Sequence, residues 1–132
     1  MKKDFYECPV EATIAAVGGK WKILILWRLG DRTRRYGELK RLLPEITEKM
    51  LITQLRELEA DGIIARTSYG EVPPRVDYAL TPHGEKLKPV LEAMCGWGQA
   101  HIRLHDLGAP ARQRVNADGE PLYVWPDPAA VA

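Results

Sequence analysis

Between Tyr36 and Leu80 the chain passes through a series of local patterns that few folds accommodate. Tyr36-Gly-Glu-Leu-Lys-Arg-Leu-Leu43 reads as a short amphipathic helix with Leu39, Leu42 and Leu43 on its inward side. Pro44 cannot continue that helix without losing a hydrogen bond and clashing with the previous turn, so Pro44-Glu-Ile46 is a turn. Thr47 suits the N-cap of a second, longer helix that runs to Asp61 and is stopped by Gly62. Along it Leu51, Leu55 and Leu58 share one stripe, and helical periodicity puts Lys49, Thr53 and Arg56 on the opposite side. Two strand-like runs follow, Ile63 to Tyr69 and Arg75 to Leu80, rich in β-formers. Gly70-Glu-Val-Pro-Pro74 between them is a stiff loop.

Helix, turn, helix and a two-stranded ribbon with a stiff tip is the order of a winged helix-turn-helix, which sets one helix in a major groove and its ribbon beside it. The flanks add helices. Cys8 to Val17 is a first helix, with Pro9 in the first turn, where its missing N–H would be unpaired anyway. Val10, Ile14 and Val17 recur at helical spacing before Gly18-Gly19. Trp21 to Leu29 is apolar on most sides, which marks it as the centre of the core, and Gly30 closes it. Asp31 to Arg35 is a polar connector. Thr81-Pro82 opens a long helix to about His105 that carries Leu87, Val90, Leu91, Met94 and Trp97, with Pro89 bending it. Beyond Leu107 the composition turns to Pro and Ala. The expected class is α+β, mainly α, with residues 1–107 as the winged domain plus terminal dimerisation helices. Residues 108–132 form a tail, with a hairpin over 115–124 and a disordered end.

Composition excludes several classes. An apolar content of 45% and a charged content of 28% suit a soluble domain. No apolar run approaches the roughly 20 residues of a membrane span, and the N-terminus lacks a signal-peptide core, so the expected location is cytoplasmic. Cys8 and Cys95 lack Cys-x-x-Cys spacing, which argues against a structural zinc or a disulfide framework. His101 and His105 have the i, i+4 spacing of metal ligands, but no third ligand is placed, so neither metal nor cofactor is expected. There is no nucleophile turn and no Gly-rich phosphate loop, so the chain does not read as an enzyme. Net charge is +1, yet residues 20 to 75 hold 12 Lys/Arg against 8 Asp/Glu, a basic excess that coincides with the helix-turn-helix and ribbon.

That excess directs attention to double-stranded DNA. Reading bases needs side chains that reach groove edges, and holding the backbone needs cations, hydroxyls or helix N-termini. Lys49 can reach guanine acceptors, the Thr53 methyl suits a thymine methyl, and Arg56 can meet base or phosphate. Gln54 sits to the side of this face. Thr47 and the N–H groups near it suit a phosphate. Arg34 and Arg35, and Lys20 and Lys22 on a solvent-facing edge, are backbone clamps on this reading. Arg66 and Arg75 are the wing cations, and Arg75 suits a narrow minor groove unless an ion pair to Asp77 or Glu71 holds it. The apolar faces of the first and last helices exceed what so small a core can bury. Val10, Ile14, Val17, Leu87, Val90, Leu91, Met94 and Trp97 are therefore the expected seam of a homodimer. A small pocket among Trp21, Trp27 and Trp97 could take a small-molecule effector. Cys8, at a helix start with Lys2 and Lys3 near, is in a setting that favours a reactive thiolate. The competing reading is a winged module that binds protein and not nucleic acid, which would need no cationic row on the longer helix.

Cys8-Pro-Val-Glu11, Gly18-Gly-Lys-Trp-Lys22, Tyr36-Gly-Glu-Leu39, Lys49-Met-Leu51, Gln54-Leu-Arg-Glu-Leu58, Asp61-Gly62 and Glu71-Val-Pro-Pro-Arg-Val-Asp-Tyr78 stand in an order that resembles the HxlR-type transcriptional regulators, within the MarR-like winged-helix proteins. The likeness covers Cys8 to about Trp97, roughly two thirds of the chain. It implies a two-fold dimer joined through the first and last helices, a palindromic operator near a promoter, and repression. It also implies that Cys8 stands where some relatives carry a cysteine that senses electrophiles or oxidants.

Overall fold

The computed structural model describes residues 5–107, so the expected hairpin over 115–124 and the disordered end lie outside the described residues. Helix α1 (Pro9–Val17) starts on Pro9, and α2 (Lys20–Asp31) follows after Gly18-Gly19. Helix α2 runs through Gly30, so that glycine does not end it. The packing of α2 against its neighbours outweighs glycine's weak helix propensity. The expected polar connector contains a two-residue strand, β1 (Arg34–Arg35), which leads directly into α3 (Tyr36–Leu42). After the Pro44 turn comes α4 (Glu48–Ala60), and then the wing strands β2 (Ile64–Ser68) and β3 (Val76–Leu80).

The cap of α4 is the one its sequence specifies. Thr47 Oγ1 accepts a hydrogen bond from the Met50 N–H at 3.1 Å. At the other end Gly62 takes a left-handed φ of +71°. Its N–H bonds the Glu59 carbonyl at 2.9 Å and the Ile63 N–H bonds the Leu58 carbonyl at 3.0 Å, the Schellman pattern. Leu58 and Ile63, which flank this turn, are both buried.

The sheet has the order β1-β3-β2, all antiparallel, with Arg34 opposite Tyr78, Arg35 opposite Asp77, and Thr67 opposite Asp77 on the far side. Asp77 therefore lies on the central strand, second of its five residues and paired on both sides. Beyond β3, Thr81 joins three elements. Its Oγ1 accepts from the Gly84 N–H at 3.0 Å and can donate to the Gly62 carbonyl at 2.6 Å. The expected single long helix is two: α5 (Pro82–Glu85) and α6 (Lys88–Leu104). Pro89 has no N–H for the Glu85 carbonyl and its ring crowds that turn, so the chain breaks at Lys86-Leu87 instead of bending.

The core gathers Ile25, Leu26 and Leu29 from α2, Leu39 from α3, Leu43 and Ile46 from the turn, Leu51, Leu55 and Leu58 from α4, and Ile63 and Ile64. Helix α2 lies at its centre, against α3, α4, α6 and β3. Three residues expected at a dimer seam serve this core: Val17 and Leu91 are buried and Leu87 packs against them. Leu91 lies on the side of α6 that meets α2, whereas Val90, Met94 and Trp97 lie on exposed positions, as do Val10 and Ile14 of α1. Phe5, Leu104 and Leu107 are further exposed apolar residues that sequence periodicity did not point to.

Candidate nucleic-acid interface

Lys49, Thr53 and Arg56 stand exposed along the outer face of α4, opposite the buried leucines. The Thr53 hydroxyl donates to the Lys49 carbonyl at 2.8 Å, which leaves the methyl as the group able to meet a base. Thr47 is occupied as the cap. Gln54 is half-buried, and its amide donates to the Met50 sulfur at 3.3 Å. Met50 and Ile52 are large apolar residues exposed on this helix, off the buried leucine stripe.

Beside this face a concave trough of about 1140 Å³ opens between α3, α4 and the wing. Five arginines line it, Arg35, Arg41, Arg56, Arg66 and Arg75, against two acids, Glu38 and Glu59. Tyr36, Ile52, Pro74, Val76 and Tyr78 are also in the wall. Tyr36 donates its phenol to Glu48 at 3.5 Å, which ties α3 to the start of α4. Burial, then the Glu48 charge, raise its pKa, so it stays a donor. The trough brings together four cations expected from sequence and adds Arg41, which the sequence pattern did not single out.

Arg75 is held by its own wing. Its Nε and an Nη reach the two Asp77 oxygens at 3.3 and 3.0 Å, and its guanidinium lies 4.4 Å over the Tyr69 ring. The ion pair weighed from sequence as its competing role is present. The hydrogen bond from Arg75 is the largest influence on Asp77 and keeps that carboxyl below its usual range.

Two expected clamps face inward. Arg34 is only 7% exposed. It donates from Nε to the Arg28 carbonyl at 3.2 Å, pairs with Asp31 at 3.3 Å and lies 3.7 Å from Glu38. Pairing of β1 with β3 turns this side chain under the end of α2, where a cation suits the free carbonyls. Lys22, expected on a solvent-facing edge, is 9% exposed and bonds Glu57 of α4 at 2.7 Å. Lys20 does face solvent, 3.8 Å from Glu45 and over the Trp21 ring. Arg34→Ala is expected to lower unfolding free energy by about 2 kcal/mol, since bonds to charged groups are lost and the buried Arg28 carbonyl loses this donor. A urea titration reads this directly, and an unchanged midpoint would remove Arg34 from the framework.

The remaining candidates are dispersed. Cys8 is exposed at the N-cap of α1, and Cys95 is half-buried, its thiol pushed up by burial. A cavity of about 200 Å³ lies between α2 and α6, lined by Trp27, Arg28, Asp31, Arg34, Lys88 and Leu91 among others. Of the three tryptophans, only Trp27 lines it. Trp97 instead stacks on His101, with centroids 4.8 Å apart. Among the described residues no three His, Cys, Asp or Glu side chains are grouped for a metal, and no helix is long and apolar enough to cross a membrane.

The family model described as HxlR-like helix-turn-helix matches residues 16–106. The chain belongs to the HxlR-like helix-turn-helix family. It is 52% identical over 102 residues to the HTH-type transcriptional regulator YtcD of Bacillus subtilis (strain 168), covering 77% of this chain and 81% of YtcD. The crystal structure of the transcriptional regulator ytcD matches with a TM-score of 0.69 at 51% identity, over 73% of this chain and 98% of that one. The redox regulator HypR in its oxidized form matches with a TM-score of 0.67 at 47% identity, over 70% of this chain and 96% of that one. This HxlR-like protein is thus a DNA-binding transcription regulator of the winged helix-turn-helix, MarR-like type, as its ordered motifs implied.

Proposed function

We propose that this HxlR-like regulator acts as a homodimer on a palindromic operator and represses the promoter it covers. The observation that carries this reading is the arginine trough beside the exposed face of α4. With α4 in a major groove, Lys49, Met50 and Thr53 meet base edges. One sugar-phosphate strand then lies in the trough against Arg35, Arg41, Arg56 and Arg66. At about 1.5 Å per residue, the 13 residues of α4 reach roughly 20 Å, enough to cross the groove. One such contact is weak, and two copies about 34 Å apart read both halves of a palindrome. Val10, Ile14, Val90, Met94 and Trp97 supply the seam, within a domain of residues 1–107 that leaves 108–132 as a tail. A gel-shift titration tests this. A sequence-selective complex whose affinity falls steeply with salt is expected, and binding that ignores either sequence or salt would overturn it.

The same protein is proposed to respond to oxidants or electrophiles through Cys8. The thiol is exposed at the start of α1, and the structurally similar HypR is a redox regulator. Oxidant is expected to release the wild-type protein from DNA and to leave Cys8→Ser bound. Release of the serine variant by the same treatment would end the redox reading.

A further inference from the structure

We infer that Asp77 is a positioning residue for DNA binding, an acid placed on the binding face to fix the edge that Arg75 presents to a backbone phosphate. The inference rests on the DNA reading above and goes further, because an acid beside a polyanion is ordinarily unfavourable. Asp77 is 7% exposed at the centre of the sheet, with Arg35 across one strand and Thr67 across the other. Its Oδ1 accepts from Arg75 Nε and its Oδ2 from an Arg75 Nη. Oδ2 also lies 3.3 Å from the Tyr69 hydroxyl, which donates to it, and the Tyr69 ring supports the guanidinium from below. One edge of the fork and one face of the plane are thus occupied. The end-on edge remains to pair with the oxygens of a phosphate, and Arg75 lines the same trough as Arg56 and Arg66. A long side chain on a loop otherwise loses rotamer freedom when it is held at a contact, and here folding has already fixed it.

The test uses the sign of the effect. Asp77→Asn removes a negative charge from a DNA-binding face. A role in net charge alone predicts tighter binding to every duplex. A positioning role at a phosphate predicts weaker binding to every duplex, because that contact carries no sequence information. The probes are a duplex enriched from a random library by the wild-type protein and a scrambled duplex of the same composition. Asp77→Asn is expected to bind the enriched and the scrambled duplex alike more weakly, by up to about tenfold. In an Arg75→Ala background the same change is expected to tighten both, since only the charge effect remains. Circular dichroism and a urea midpoint on each variant separate unfolding from misplacement. If Asp77→Asn tightens or spares the scrambled duplex, or still loosens both in the Arg75→Ala background, the positioning role is wrong while the DNA reading stands. If the wild-type protein enriches no duplex, the DNA reading itself fails, and this inference with it.

Discussion

Replacing Lys49 and Arg56 together by alanine is expected to weaken binding to an enriched duplex about 100-fold at physiological salt, with the fold intact. The two residues act in different ways. Lys49 lies in the first turn of α4, where side chains reach base edges, so its loss should relax base preference at one position per half-site. Arg56 lines the trough, where a strand would run, so its loss should weaken all sequences alike and make the plot of log affinity against log salt shallower by roughly one unit. Both side chains are exposed, and neither contributes to the leucine core behind them, so the urea midpoint should move little. The single variants separate the roles. If Lys49→Ala kept full affinity and full base preference, the reading face would lie elsewhere on α4. Met50, exposed next to it, would then be the first residue to test.

What the sequence disclosed about this protein was local, and what it withheld depended on distant pairing. Thr47 and Gly62 bound α4 through contacts three to five residues away, so capping chemistry alone placed that helix. Thr81-Pro82 marked a helix start for the same reason. By contrast, β1 exists because Arg34 and Arg35 pair with Tyr78 and Asp77, more than forty residues on, and nothing between Asp31 and Tyr36 announces a strand. That pairing also decides the fate of Arg34. Its partners Asp31 and Glu38 are near in sequence, but only the folded sheet turns the side chain under α2. Lys22 and Glu57 come from two helices, and their contact needs α2 packed on α4. Arg41 shows the converse. It is exposed on a short amphipathic helix, where nothing local distinguishes it, and only the shape of the trough gives it a use. The family resemblance was legible because its motifs are the caps, turns and wing tip themselves. They recur in order wherever the same backbone must be built. Charge on a helix carries no such signature, so the division between structural and DNA-facing cations needed coordinates.

Trp97→Glu is expected to have the largest effect of all, by splitting the proposed dimer. Trp97 is 68% exposed on α6, at helical spacing from the exposed Val90 and Met94, and it stacks on His101. Removing the ring therefore takes little from the protomer's own core, which α6 supports through Leu91 on its other side. Across a two-fold seam the same change would bury two carboxylates near the axis, each without a counter-charge, and an uncompensated charge at an interface costs several kcal/mol. The variant should sediment as a folded monomer at concentrations where the wild type sediments at twice the chain mass. Its operator affinity should then fall at least 100-fold, because the second half-site is no longer held at a high effective concentration by the first contact. Thermal unfolding separates the outcomes, since a folded monomer keeps a cooperative transition that now lacks dependence on protein concentration. A Trp97→Glu protein that stayed dimeric would move the seam away from α6. A wild-type protein that sedimented as a monomer, yet bound a palindrome with full affinity, would leave α4 reading each half-site without a symmetric mate.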